Sequence, residues 1–106
     1  MGERKCLYVQ FEIRKGVQPE DFYAIEDTLF QAFEQNNFAV VDGHDVGQGR
    51  FNIFIFPKGA WGPVVERVLA FLKLKGWLDR AVVAKRLASG REQVIWPEEF
   101  EGKFEL

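Results

Sequence analysis

The chain has 106 residues, of which 47% are hydrophobic, 28% are charged and 15% are aromatic. This length and composition are typical of one soluble globular domain and exclude an intrinsically disordered chain. The 16 acidic and 14 basic residues give a net charge of -2, which disfavours non-specific binding to nucleic acid or to an anionic membrane.

The cysteine content and the hydropathy pattern narrow the class further. The single cysteine, Cys6, excludes an internal disulfide and a metal site built from several cysteines. One histidine with scattered carboxylates is a poor ligand set for a transition metal. No apolar stretch resembles a secretory signal or a membrane span. We therefore expect a cytoplasmic protein with no cofactor, no metal and no membrane partner.

The first predicted elements are a strand and a helix. The strand has apolar residues at every second position: Leu7, Val9, Phe11 and Ile13. The helix begins at Gln18–Pro19, because proline suits the first helical turn and acidic residues follow it. Its predicted buried stripe has helical spacing: Phe22, Ile25, Leu29, Ala32 and Phe33. Asn36 or Asn37 is expected to supply the left-handed residue that ends it.

A β-hairpin and a second helix are predicted next. The hairpin strands lie at about 38–42 and 50–56, and a long glycine-containing turn joins them. The second helix has Pro63 in its first turn and an apolar face formed by Val64, Val65, Val68 and Leu72. Gly76 is the residue expected to end it.

Two strands and a tail complete the chain. The strands are predicted at 78–87 and 92–96, joined by a two-residue turn at Ser89–Gly90. Residues 97–106 form an acidic tail (hereafter the tail) that is either frayed or docked through Phe100 and Phe104. The order β-α-β-β-α-β plus an extra C-terminal strand predicts an α+β domain over residues 1–106. Both helices should cover one face of an antiparallel sheet, as in a ferredoxin-like α/β plait.

The segment from Cys6 to Trp96 resembles this plait superfold, and the chain also resembles small bacterial plait proteins with no assigned role. The superfold hosts many unrelated activities, so this resemblance implies the fold alone.

A partial resemblance to the RNA-recognition motif concerns two strands. Leu7-Tyr8-Val9 is similar to the start of the motif's first strand, and residues 49–56 stand where the motif has its aromatic third strand. This resemblance implies that Tyr8 and Phe51 stack on bases. Arg50, Asn52 and Ile53 replace the motif's two glycines and its central aromatic residue, so RNA binding ranks third among the functions considered.

Asp42, His44 and Asp45 are the candidate catalytic residues, because only here do an imidazole and carboxylates lie close in sequence. In an extended strand Asp42 and His44 point to one side and Asp45 to the other. Asp42 would then orient His44 as a general base. The alternative is that these residues only solvate a turn, and Glu26 and other helix charges are expected to be solvated as well.

The third strand indicates a binding surface, because large apolar residues occur on both of its faces. Whichever face meets the helices, aromatic side chains remain on the open face, where Tyr8 and Trp96 are expected to join them. The candidate binding residues are Tyr8, Gln10, His44, Arg50, Phe54 and Trp96. We predict that the Tyr8 side of the sheet is covered, either by a second subunit or by the tail.

The leading hypothesis is a non-catalytic binding or interaction module that acts through the open sheet face and the 42–50 hairpin. Its partner would be another protein or a second copy in a homodimer, with a small-molecule ligand as an alternative. The second hypothesis is a small plait enzyme that uses His44 and Asp42 in acid–base chemistry on a small molecule.

Overall fold

The computed structural model describes residues 5–14, 19–34, 37–100, 102 and 104–106. Within them lie two helices and five strands: β1 (Cys6–Glu12), α1 (Pro19–Glu34), β2 (Ala39–Gly47), β3 (Arg50–Pro57), α2 (Trp61–Leu74), β4 (Ala81–Arg86) and β5 (Glu92–Trp96). All neighbouring strands pair antiparallel, in the order β2-β3-β1-β4-β5. The predicted α+β class is confirmed.

Both helices pack against the same face of this sheet. The inward side chains of the strands and the buried stripes of both helices form one core, which includes Leu7, Val9, Phe11, Phe22, Leu29, Phe51, Ile53, Val64, Val68 and Leu72. The Phe22 ring stacks on Phe11 and Phe51, with centroid distances of 5.4 and 5.2 Å. Ala32 is exposed, so the buried stripe of α1 is narrower than the spacing predicted.

Each helix ends at a left-handed residue, as expected. Asn37 follows α1 with a φ of 60°, and Gly76 follows α2 with a φ of 75°. The Trp77 amide donates to the Leu72 carbonyl at 2.8 Å, which is the bond of a Schellman motif. The predicted residues Gln18 and Asn36 lie outside the described residues. Neither described helix is long and apolar enough to cross a membrane.

β2 departs most from the prediction, because it runs to Gly47 instead of ending at about Asp42. The turn after it contains only Gln48 and Gly49, whose φ angles of 52° and 77° are typical of a type I′ turn. A β-bulge interrupts β2, with Asp42 as the extra residue and Gly43 at a φ of 132°. The side-chain alternation therefore shifts by one residue after Asp42.

The last two strands also differ slightly from the prediction. β4 begins at Ala81 instead of residue 78, because Leu78–Arg80 forms a short 3₁₀ helix. The β4–β5 connection has five residues, 87–91, in which a 2.8 Å bond from the Leu87 amide to the Arg91 carbonyl encloses residues 88–90. The predicted bounds of β5 are confirmed.

Candidate functional site

The sheet face opposite the helices carries a second hydrophobic cluster, and the tail covers it. Its buried members are Cys6, Tyr8, Ala84 and Phe104, with Phe54, Phe56, Val82, Val94 and Phe100 packed around them. The Phe104 ring stacks on Tyr8 at 5.8 Å, and Phe54 meets Tyr8 edge-on at 5.7 Å. The prediction that this face is covered is confirmed, and the tail provides the cover. Tyr8 therefore presents no open surface to a partner.

Polar side chains beside this cluster form a chain of hydrogen bonds. Gln10 Nε2 donates to Asn52 Oδ1 at 2.9 Å and to the Glu105 carbonyl at 2.6 Å. Asn52 Nδ2 then donates to Asp45 Oδ1 at 2.9 Å. Gln10 is 7% exposed and Asn52 is 1% exposed. Leaving a buried side-chain amide without a hydrogen bond costs free energy. These hydrogen bonds therefore hold the tail in one position on the sheet.

A pocket of about 350 Å³ opens at the hairpin end of the same face, next to the tail; we call it the arginine pocket. Its wall has three basic, three acidic and several uncharged residues: Arg14, Arg50, Arg80, Glu12, Asp79, Glu105, Gln10, Ala81, Val82, Pro97 and Phe100. Two residues that the sequence assigned to binding, Gln10 and Arg50, therefore meet in one pocket.

The guanidinium groups of this pocket are weakly paired. Arg50 Nη1 lies 4.0 Å from a Glu105 carboxylate oxygen, too far for a hydrogen bond, although the Arg50 side chain is only 32% exposed. Arg14 pairs with Glu12 at 3.7 Å through exposed side chains. The Arg80 side chain makes no hydrogen bond or ion pair with any described residue. Guanidinium donors therefore remain available to a ligand.

The structure contradicts the predicted pairing of Asp42 with His44. After the bulge at Asp42, His44 points to the helix side, and its Nδ1 lies 2.7 Å from Glu26 Oε1. The imidazole stacks on Phe51 with a centroid distance of 4.8 Å. Asp45 points to the opposite face, where it accepts the bond from Asn52. Glu26, which was expected to be solvated, is therefore the carboxylate that contacts the histidine.

The pocket nearest to this histidine does not include it. A pocket of about 320 Å³ between α1 and β2 is lined by Tyr23, Glu26, Asp27, Phe30, Val41, Asp42 and Gly43. His44 thus contacts a carboxylate but does not line this pocket. Across the described part of the chain, no group of three histidine, cysteine or acidic residues is arranged to hold a metal ion.

Three aromatic side chains are not where their predicted roles require them. Trp96 packs on the helix side, where its Nε1 donates to the Leu78 carbonyl at 3.0 Å, because the β4–β5 register shifts before it. Phe51 is fully buried under the helices, and Tyr8 is buried beneath Phe104. Neither Phe51 nor Tyr8 can stack on a base in this arrangement. Neither of the two residues that the RNA-recognition resemblance assigned to base stacking is therefore available for that role.

No protein-family model matches the chain, and comparison with curated proteins and with solved structures gives no match. The candidate site therefore depends on the geometry of this chain alone.

Proposed function

We propose that this protein is a non-catalytic binding module that holds a small molecule with one carboxylate or phosphate group in the arginine pocket. The observation that carries the proposal is Arg50, whose partly buried side chain lacks a hydrogen-bonded acid. Burying a charged group without a close partner costs free energy. Guanidinium groups bind carboxylates and phosphates through paired N–H donors, so such a ligand would supply the missing acceptor.

The pocket favours a small ligand with one anionic group. Its volume of about 350 Å³ is at the lower end of the range for small-molecule sites, roughly 300–1,000 Å³. Glu12, Asp79 and Glu105 equal the three arginines in formal charge, so the wall does not suit a polyanion such as RNA. The sequence analysis expected a protein partner on an open sheet face. Because the tail covers that face, the proposed ligand is instead a small molecule in the pocket at the hairpin end of the face.

The plait fold and the cytoplasmic location remain parts of this proposal. The pairings of β2 with β3, β3 with β1 and β1 with β4, with both helices on one face, support a ferredoxin-like arrangement. β5 extends that arrangement on the β4 side, so the complete five-strand order differs from that of a four-stranded plait.

The test is ligand-dependent stability with butyrate, which has one carboxylate, and inorganic phosphate as probes. We expect either probe to raise the thermal midpoint in a saturable way, beyond the effect of sodium chloride at equal ionic strength. Arg50→Met and Arg80→Met keep the apolar part of the side chain and should weaken binding about tenfold. Arg91→Met is the control, because Arg91 is exposed near the β4–β5 loop. The proposal is wrong if all three variants bind the probes equally well, or if sodium chloride raises the thermal midpoint as much as the probes do.

A second candidate is an acid–base enzyme, and the observation that favours it is the 2.7 Å contact between His44 and Glu26. A carboxylate on one ring nitrogen can fix the orientation and tautomer of a catalytic imidazole. The position of His44 outside the neighbouring pocket weighs against this function. Hydrolysis of p-nitrophenyl acetate faster than by free imidazole, and its loss in His44→Gln, would support the enzyme. Unchanged rates in His44→Gln would favour the binding module.

A further inference from the structure

A groove with exposed apolar walls runs between α1 and β2; we call it the edge groove. Two adjoining pockets of about 320 and 190 Å³ form it, and Phe30 and Val41 line both of them. Tyr23, Phe30 and Val40 are among the most exposed large apolar residues, at 42%, 44% and 37%. Contiguous apolar surface of this kind usually marks a site of interaction.

The floor of the edge groove is β2, one of the two edge strands of the described sheet. β2 is terminal in the strand order and, among the described strands, pairs only with β3, through eight of its nine residues. Its outer side therefore has backbone donors and acceptors that no other described strand uses. An extended peptide can add to such an edge, with affinity from the main chain and specificity from alternate side chains.

The acidic side chains of the edge groove favour a basic partner. Asp27, Glu34 and Asp42 line it, and none of them forms an ion pair with a described residue. Lys58 is the one cation among the described lining residues, and its Nζ is bonded to the Asn37 side chain. A second copy of the groove would bring like charges together, which is unfavourable, whereas a basic segment would complement them.

We propose that the edge groove binds an extended segment of another protein in which apolar residues alternate with lysine or arginine. The segment adds to the outer side of β2. Its apolar side chains lie on the α1 side of the added strand, against Tyr23 and Phe30, and the lysine or arginine residues between them lie in the negative field of Asp27, Glu34 and Asp42. This interaction uses a different surface from the arginine pocket and does not depend on a ligand there.

The probe is a labelled nine-residue peptide that alternates valine and lysine, compared with one that alternates valine and glutamate. We expect the lysine peptide to bind saturably in fluorescence anisotropy, more weakly at higher salt, and the glutamate peptide not to bind. Phe30→Ser and Asp27→Lys should each weaken binding about tenfold. The controls are Leu74→Ser, at a residue that is 82% exposed on α2, and Glu92→Lys, on the exposed start of β5.

Two further measurements distinguish the possible occupants. In NMR spectra, addition of the lysine peptide should shift the backbone amides of residues 39–47. The proposal would be overturned if only the amide signals of β5 shifted, or if the lysine peptide did not bind saturably. It would also be overturned if the two control variants lost as much affinity as Phe30→Ser and Asp27→Lys. Native mass spectrometry that shows a dimer in the unmodified protein and a monomer in Phe30→Ser would also overturn it, since a second copy would then occupy the groove.

Discussion

The ring of Phe104 lies over the ring of Tyr8, with the centroids 5.8 Å apart and the planes inclined by 24°. One ring belongs to the tail and the other to β1, and both are buried. Stacked aromatic pairs stabilise by more than their buried area alone. The tail is therefore part of a second, smaller core, and the pocket beside it depends on the same docking.

Phe104→Ala should lower the free energy of unfolding by about 3 kcal/mol, because it removes a buried ring and leaves a cavity above Tyr8. Leu106→Ala is the control, since Leu106 is more exposed and should change stability by less than about 0.5 kcal/mol. Urea denaturation measures both values. If the two variants lose equal stability, the tail does not dock through Phe104.

Asn52→Ala should destabilise the protein by about 1–3 kcal/mol, because it leaves the buried amide of Gln10 with one bond fewer and removes the donor to Asp45. Gln10→Ala removes the other end of the 2.9 Å bond. In a double-mutant cycle the two losses should not add, because the residues share that bond. Strict additivity in denaturation experiments would show that the two amides act independently.

Periodicity was sufficient to predict much of the fold. The alternation around Val9 and the helical spacing around Leu29 identified the face and the stripe that form the main core. The surplus of aromatic residues on β3 predicted a covered second face, although both a subunit and the tail fitted that pattern. Only the position of Phe104 over Tyr8 distinguishes them.

The parts of the site that the sequence did not reveal depend on single-residue shifts in strand register. Regular alternation places Asp42 and His44 on one side, but the bulge turns His44 towards Glu26 on α1. A similar shift in β4–β5 moves Trp96 from the open face to the helix side. The arginine pocket joins residues that are distant in sequence, such as Arg50 and Arg80, so no local pattern indicates it.

The contacts of His44 change what its removal should do. If His44 only solvated a turn in a binding module, His44→Ala would have almost no effect on stability. In the structure it would remove a ring stacked on Phe51 and the partner of the partly buried Glu26 carboxylate. We expect a loss of about 1 kcal/mol in thermal or urea unfolding. The matched control is Asp42→Ala, because Asp42 is exposed and its carboxylate forms no hydrogen bond or ion pair with a described residue. Glu26→Gln should reproduce part of the His44 effect.

Gly43→Ala should destabilise the hairpin through its backbone. Gly43 has a φ of 132°, which side chains rarely tolerate, and a Cβ there would meet no atom within 4 Å. The cost is therefore conformational strain of about 1–3 kcal/mol and not a clash. Gly47→Ala is the control in the same strand, because its surroundings are equally open and its φ is not positive.

The same substitution tests whether the bulge places His44. If strain at position 43 removes the bulge, the following residues exchange faces and His44 leaves Glu26. NMR contacts between the His44 and Phe51 rings should then weaken in Gly43→Ala and persist in Gly47→Ala. If both variants keep these contacts and lose equal stability, the bulge at Asp42 is not what holds His44 on the helix side.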